Sequence, residues 1–480
     1  YIIHLAIKYP DAIGATTRKD IPGPKGVPIF GNLFTFVFKK NSYIELQQEL
    51  ANKYAGRNVV SNDPQTLEYV LKTKFENFQK NPAAIQVYHD LLGDGIFMAE
   101  GPMWKFQRKL ISQQFQQKSF GNIIYASVIR RSEIVINVLK KYADSGKPID
   151  LKDLFFRFTI ETIGDLSFGV DFECLTYTGE ESKFVTSFDY VQTGTLERIF
   201  QPFWKLTEKY SEKGQRMHEA CKYIDDYVYN LINSHRSKLE VEHKPVNNML
   251  TLLMDAVDDD GKKFNDKELR NVVMSLIFAG RNTTALSLSW MMYAIMANQS
   301  VEDSLLQEIN SLLSTEKPIP SYDDIKLFKY TTATFYETLR LYPSTCIKNT
   351  VLPNNIPIYA GEFVMFNLYI MGRDEKIWGK DAKQFDPERF LNSENGLRPN
   401  RFKLASFSAG PRSCVGEQLA TLETVILTIL ILKEFKLELM SGQKSPPEFK
   451  DSISLAMKDP LMTKVSYRAK NFHKYNQHPL

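Results

Sequence analysis

One of the four cysteines in this 480-residue chain, Cys414, sits in a setting that suits a metal-binding sulfur. The run from Phe407 to Ala420 reads FSAGPRSCVGEQLA. Gly410 and Pro411 impose a tight turn ahead of the cysteine. Gly416 lets the backbone pass close to something flat and bulky, and Leu419, Leu422, Ile426, Ile429 and Leu430 then recur at helical spacing. The spacing predicts Cys414 at the mouth of a helix, where unpaired amides and the positive dipole end favour an anion. A free thiol titrates near about 8.5, and a helix start, a cation such as Arg412 or a bound metal each lower that value. A thiolate ligand to a metal is the chemistry this loop suits. The plain alternative is a cysteine acting as a small buried hydrophobe.

Three further sets of residues carry chemical potential. Ala279, Gly280, Arg281, Asn282, Thr283 and Thr284 put a glycine and two threonines, all poorer helix formers than alanine, inside a long apolar run from Asp266 to Ala297. Such a local conflict marks a site or a bend; a helix bent by threonine hydroxyls bonding back to earlier carbonyls is the structural alternative. Ala279, Asn282 and Thr283 share one helix face and Arg281 points to another. Trp104 and Arg108 lie one turn apart in GPMWKFQRKL. Glu337 and Arg340 stand three apart in ATFYETLRLYP and can pair, with Arg389 in the following segment able to share the carboxylate.

The elements that must hold these residues are mostly helices. Apolar residues recur at three- and four-residue intervals from Asn41 to Asn310. Strand-like runs are expected near Ile356 to Tyr369, turning at Ala360 and Gly361, and near Ile453 to Val465, turning at Asp459 and Pro460. The expected class is therefore mainly α, with a large helical domain and a smaller β-rich lobe. At 43% apolar and 12% aromatic residues, the chain can bury a large core. No repeat or low-complexity linker divides it. A net charge of +4 is too small to suggest nucleic acid. The cysteines lack a C-x-x-C pair, which argues against a disulfide framework and for a reducing compartment. The apolar residues 1–7 are far shorter than the roughly 20 a spanning helix needs. Residues 1–21 are read as a tail, the remnant of a membrane anchor, ahead of a stiff Pro22–Gly26 hinge and one body over residues 22–480.

The loop pattern F-x-x-G-x-R-x-C-x-G, carried by Phe407, Gly410, Arg412, Cys414 and Gly416, resembles the haem-binding loop of the cytochrome P-450 family at every fixed position. The proline hinge, the W-x-x-x-R pair, the Ala279–Thr284 segment and the Glu337, Arg340 and Arg389 set follow the family's order. The resemblance implies haem b with Cys414 as the axial iron ligand. It implies Trp104, Arg108 and Arg412 at the haem propionates, and Ala279 and Gly280 making room for the haem and dioxygen. Thr283 would manage proton delivery, with Asn282 where the family pattern has an acid; asparagine orders water but exchanges no proton. Glu337, Arg340 and Arg389 are assigned to fold maintenance.

The implied function is a haem-thiolate monooxygenase, with two electron transfers from an NADPH-dependent reductase, dioxygen binding opposite Cys414 and oxygen insertion into a C–H bond. Lys105, Lys109 and Lys433 offer a cationic face for that acidic flavoprotein. The segments GDGIF, WKFQRK, FAGRNTTA and FSAGPRSC look most like fungal and plant hydroxylases of long-chain fatty acids or alkanes. Ile96, Phe97, Ala279, Thr345, Ile347, Leu455 and Met457 are candidate pocket residues, with core packing as the default reading for each. An endoplasmic reticulum membrane surface, with the catalytic body facing the cytosol, is the expected setting. Two departures stand out. Asn282 keeps open a thiolate-haem isomerase or dehydratase acting on an oxidised lipid, or a non-catalytic haem-binding protein. The segment KYAGRNVVSNDP, from Lys53 to Pro64, is shorter than the family's and is expected to lack one strand of the β lobe.

Overall fold

The computed structural model describes residues 58–468 apart from 81, 177–181, 199–200, 202, 243–247, 344–346, 350–362, 393–396, 398 and 451–454. Among the described residues, the helices of seven or more residues are α1 (Pro82–Leu92), α2 (Gly101–Gln116), α3 (Lys118–Ser145), α4 (Leu151–Phe168), α5 (Lys183–Arg198) and α6 (Trp204–Tyr210). They continue with α7 (Glu212–Glu242), α8 (Met249–Asp255), α9 (Asp266–Ala297), α10 (Gln299–Leu312), α11 (Lys329–Leu341) and α12 (Glu417–Glu434). The mainly α expectation holds. None of these helices is long and apolar enough to cross a membrane.

Helix α9 is the axis of the molecule. It starts at a reciprocal cap in which the Asn265 side chain accepts from the Glu268 amide and Glu268 accepts from the Asn265 amide, both at 2.9 Å. It then runs 32 residues without interruption. The small and polar residues at its centre do not break it, because hydroxyls bond back along the helix: Thr283 to the Ala279 carbonyl at 2.7 Å and Ser287 to the Thr283 carbonyl at 2.8 Å. Apolar residues on most sides bury it, with its broadest packing against α4. Helix α12 is apolar all round and buried against α3, α9 and α11.

The strands are β1 (Asn58–Val60), β2 (Ile149–Asp150), β3 (Ile347–Asn349), β4 (Phe363–Asn367), β5 (Phe435–Leu439), β6 (Phe449–Lys450), β7 (Ala456–Met457) and β8 (Met462–Tyr467). They form a β1-β4-β3 sheet, a β2-β8-β5 sheet and a β6-β7 pair. In the first sheet β1 runs parallel to β4, pairing Asn58 with Phe363, and β3 runs antiparallel to it. Of the Lys53–Pro64 segment expected to lack a strand, residues 53–57 are outside the described residues and Asn58–Val60 form β1. The Pro22–Gly26 hinge and the Ala360–Gly361 turn are also outside the described residues. The expected strand to Tyr369 stops earlier: the Asn367 side chain accepts from the amides of Tyr369 and Ile370 and starts a helical turn, Leu368–Met371. Asp459 and Pro460 do lie between two strands, β7 and β8.

Candidate functional site

The cysteine loop is shaped by its own backbone. Gly410 has φ +66°, and a Cβ there would collide with the carbonyl oxygen of Leu71, so the loop closes against the segment near the start of the described chain only because this residue is glycine. Gly410–Arg412 makes a single tight helical turn. The Cys414 amide donates to the Phe407 carbonyl at 2.8 Å, leaving the side chain exposed on the loop. Gly416 is the N-cap residue of α12, so Cys414 lies two residues before that cap, at the predicted helix mouth. A Cβ on Gly416 would stand 3.9 Å from the Cys414 sulfur. None of the described cysteines is in a disulfide.

Helix α2 delivers the cationic side. Arg108 donates to the Ser413 carbonyl at 2.5 Å and to its hydroxyl at 3.3 Å, tying α2 to the residue before the cysteine. Burial pulls the Arg108 pKa down, and the nearby Cys414 opposes that shift. Trp104, one turn earlier, is buried rather than half-buried. The Arg412 guanidinium lies 4.6 Å from the Trp104 ring and 5.3 Å from Phe75, and it pairs with Glu100. Its Nη1 is buried without a hydrogen-bond partner. Such an orphaned cationic donor beside a thiol is what an anionic ligand group satisfies.

Sequence reading missed Lys80. It donates to the Ala99 and Ile96 carbonyls at 2.8 and 3.2 Å and stands 4.0 Å from Glu100. Burial, then Arg412, pushes its pKa down to about 7 against the pull of Glu100. No periodicity marks it, because its partners come from a loop about twenty residues on.

Behind the loop, the expected lock is present. Glu337 and Arg340 are fully buried. Arg340 Nε and Nη2 donate to the two Glu337 oxygens at 2.6 Å each, Nη2 also to Gln384 O at 2.8 Å, and Nη1 to the carbonyls of Gly372 and Ala382. Arg389 Nε is 3.7 Å from Glu337 and its Nη2 is 2.7 Å from Asp381. Ser406 donates to Leu339 O at 3.1 Å, and the Phe335 and Phe407 rings are 6.2 Å apart, so α11 backs the cysteine loop directly.

Helix α9 carries the Ala279–Thr284 segment. Gly280 is pressed by Ile163 of α4, whose Cδ1 would be 2.9 Å from an added Cβ. Asn282 is half-buried, and its Oδ1 has no hydrogen-bond partner. Arg281 does point elsewhere: its Nη2 donates to Asp189 of α5 at 2.8 Å. Among the pocket candidates, Phe97 is 40% exposed and meets Phe278 edge-on at 6.0 Å, with Ile96 and Ala279 half-buried nearby in sequence. Leu455 and Met457 belong instead to the main core, where the Leu455 carbonyl accepts from the Trp290 indole at 2.7 Å. Thr345 and the side chain of Ile347 lie outside the described residues.

The lysines expected to offer a cationic face each have a partner within the chain. Lys105 is 3.3 Å from Glu76, Lys109 pairs with Asp259, and Lys433 donates to Pro318 O at 2.8 Å. Distant segments supply all three partners, which neighbouring sequence does not reveal.

Comparison with known proteins agrees with this geometry. Residues 21–465 match the model of the cytochrome P-450 family. Cytochrome P-450 monooxygenase cyp1 of Mycosarcoma maydis is 32% identical over 503 residues, covering 97% of this chain and 78% of that protein. Cytochrome P-450 86B1 of Arabidopsis thaliana is 30% identical over 436 residues, covering 86% and 78%. Cytochrome P-450 94A1 of Vicia sativa is 28% identical over 466 residues, covering 90% and 88%. The family binds haem b, and the residues present fit it through a thiol on a glycine-shaped loop and an orphaned Arg412 donor over the Trp104 ring; Gly280, expected to make room for the haem, instead makes room for Ile163 of α4. With the cysteine loop, the α2 pair, the α9 segment and the buried Glu337 lock all in one molecule, this chain belongs to the cytochrome P-450 family of haem monooxygenases.

Proposed function

We propose that this member hydroxylates a long-chain aliphatic substrate, a fatty acid or an alkane, using electrons from an NADPH-dependent flavoprotein reductase. The observation that carries the reading is the cysteine loop itself: Cys414 is exposed two residues before the α12 cap, Arg108 is bonded to the adjacent Ser413, and Arg412 presents a buried donor without a partner. Bound haem supplies oxygen activation, with the Cys414 thiolate donating electron density to the iron. The protein's own residues do the rest. Cys414 would ligate iron; Arg108, Arg412 and Trp104 would hold the propionates by charge and ring contact. Asn282 Oδ1 accepts a hydrogen bond from an ordered water, and the Thr283 hydroxyl holds a proton on the same helix face. Phe97, Phe278 and Tyr88 give apolar rings, in edge contact at 6.0 and 5.8 Å, against which a hydrocarbon chain packs.

The membrane-surface setting, on the endoplasmic reticulum with the body facing the cytosol, is part of this proposal. It is supported by Phe203, Leu206 and Tyr210, which are 76%, 61% and 74% exposed around α6 beside Lys205 and Lys209.

The test has two stages. The reduced carbon monoxide complex is expected to show the thiolate-type Soret band, lost in Cys414→Ala; its survival in that variant refutes the ligand assignment. With reductase and NADPH, a hydroxylated fatty acid or alkane is the expected product. Conversion of a lipid hydroperoxide without NADPH, and no product from the parent lipid with it, favours the isomerase reading that Asn282 supports.

A further inference from the structure

Helix α1 packs against both α5 and α9, and Tyr88 in its second half is 8% exposed. The Tyr88 ring meets Phe278 of α9 edge-on at 5.8 Å, and Phe278 meets Phe97 in the same manner at 6.0 Å. The three rings thus lead from an open one, Phe97 at 40% exposed, to a buried one. Phe278 directly precedes Ala279, so the rings run up to the Ala279–Thr284 segment of α9. What sets Tyr88 apart is its hydroxyl, which is buried and has no hydrogen-bond partner. A buried phenol ordinarily finds one, because taking a hydroxyl out of water without replacement is costly. Two other tyrosines of this chain follow that rule: Tyr125 donates to Pro320 O at 2.7 Å, and Tyr293 is paired with the Ser445 hydroxyl at 3.1 Å. At position 88 a phenylalanine would keep the ring contacts without the penalty.

The surroundings narrow what this hydroxyl can meet. Burial pushes the phenol's pKa up, so the group is a neutral donor at physiological pH and calls for an acceptor. Two guanidiniums reach the same helix. Arg198 donates to the Val87 carbonyl at 3.1 Å and Arg270 to the Leu91 carbonyl at 2.9 Å. Both are already matched by carboxylates, Arg198 by Glu208 at 2.7 Å and Asp90 at 2.8 Å, and Arg270 by Asp225 at 2.7 Å. Neither offers its charge to an incoming carboxylate, and an acid buried without a counter-ion is costly. A neutral oxygen meets no such cost.

We propose that the Tyr88 hydroxyl is a specificity-determining donor that binds a neutral oxygen on the substrate, so that the preferred substrate is a long aliphatic chain bearing a carbonyl, hydroxyl or ether oxygen along its length. The proposal rests on the long-chain monooxygenase reading and narrows it. An oxygen-bearing chain satisfies the phenol on binding. A plain alkane leaves it desolvated and unpaired, and a site built to hydrogen-bond its ligand rejects the analogue that lacks the group.

The experiment titrates three ligands of equal chain length, an alkane, a mid-chain ketone and a fatty acid, into the haem-loaded wild type and Tyr88→Phe. The Soret shift on binding is followed without reductase, so no turnover is involved. The wild type is expected to bind the ketone more tightly than the alkane. Tyr88→Phe is expected to weaken the ketone about fivefold or more, the scale of one neutral hydrogen bond, while the alkane's affinity does not fall. The fatty acid is expected to follow the alkane. Thermal unfolding supplies a second measurement: loss of an unpartnered hydroxyl leaves the melting temperature of Tyr88→Phe equal to the wild type's or higher. Equal binding of ketone and alkane by the wild type, or an unchanged ketone preference in Tyr88→Phe, overturns the proposal. Weakening of the fatty acid alone shows that the phenol reads a carboxylate and overturns the neutral-oxygen assignment. A lower melting temperature with all three ligands weakened alike makes the hydroxyl structural and overturns it too. A haem-loaded wild type that binds none of the three chains overturns the long-chain reading itself, and is told apart because that failure appears before any comparison with the variant.

Discussion

Replacing Arg340 with methionine tests whether the buried lock behind the cysteine loop stabilises the fold. The side chain makes five hydrogen bonds: two to Glu337, and one each to the carbonyls of Gln384, Gly372 and Ala382. Methionine fills much of the volume and offers no donor. Glu337 keeps only the Asp386 amide at 2.8 Å and Arg389 at 3.7 Å, so a buried carboxylate loses its main counter-charge. Breaking a buried pair from one side costs about 3–5 kcal/mol. Three carbonyls also lose their donor, at about 1 kcal/mol or more each, although these penalties overlap because one side chain serves them all. Against a total stability of about 5–15 kcal/mol, the expected loss of roughly 4–6 kcal/mol leaves little. Urea unfolding of the haem-loaded protein, followed by the Soret band and by circular dichroism, measures it. Glu337→Gln together with Arg340→Met removes the stranded charge and is expected to recover at least about 2 kcal/mol relative to the sum of the single variants. A loss below about 1 kcal/mol for Arg340→Met, the scale of an exposed pair, or strict additivity of the two changes, refutes the buried-lock reasoning.

Other outcomes follow from single residues. Glu423 is raised from 4.5 to about 8, so the folded state holds a proton that the unfolded state releases between those values. Stability therefore falls as pH rises through that window, by about 5 kcal/mol on this group's account, and Glu423→Gln removes that slope in urea melts across pH. Gly410→Ala forces a Cβ into a left-handed position against Leu71 O; it is expected to cost about 2 kcal/mol or more and to lower the haem-loaded fraction on purification. Arg412→Ala removes the guanidinium from the Trp104 and Phe75 rings and leaves Glu100 without its main partner. Haem transfer to excess apomyoglobin is expected to quicken at least about tenfold, as loss of about 1.4 kcal/mol implies.

The sequence was most readable where chemistry and backbone conformation require the same residues. The Cys414 loop needs glycine at 410 for its positive φ and glycine at 416 near the sulfur, so its spacing is visible without any fold. Trp104 and Arg108 were legible as one helix face for a similar reason. Burial of the Glu337–Arg340 pair was legible only through the family resemblance, since i, i+3 spacing is common on solvated helices. What decides it is Gly372, Ala382 and Gln384, which reach the guanidinium from a later segment. The partners of Lys105, Lys109 and Lys433, which are Glu76, Asp259 and Pro318, were not legible, because they come from distant segments. Leu455 and Met457 were apolar enough for a pocket and equally for a core, and tertiary packing chose the core. Glu423 gave no signal, since one acid in LATLETVIL reads as the polar face of an ordinary helix; only the buried position of α12 makes it unusual.

The bond from Arg108 to Ser413 joins residues 305 positions apart. At a synthesis rate of about 5–20 residues per second, α2 waits roughly 15–60 s after it is made before its partner exists. Haem capture in this chain is therefore a late event, reserved for a nearly finished polypeptide. The apolar faces of α2 and α3 spend that interval without their final cover.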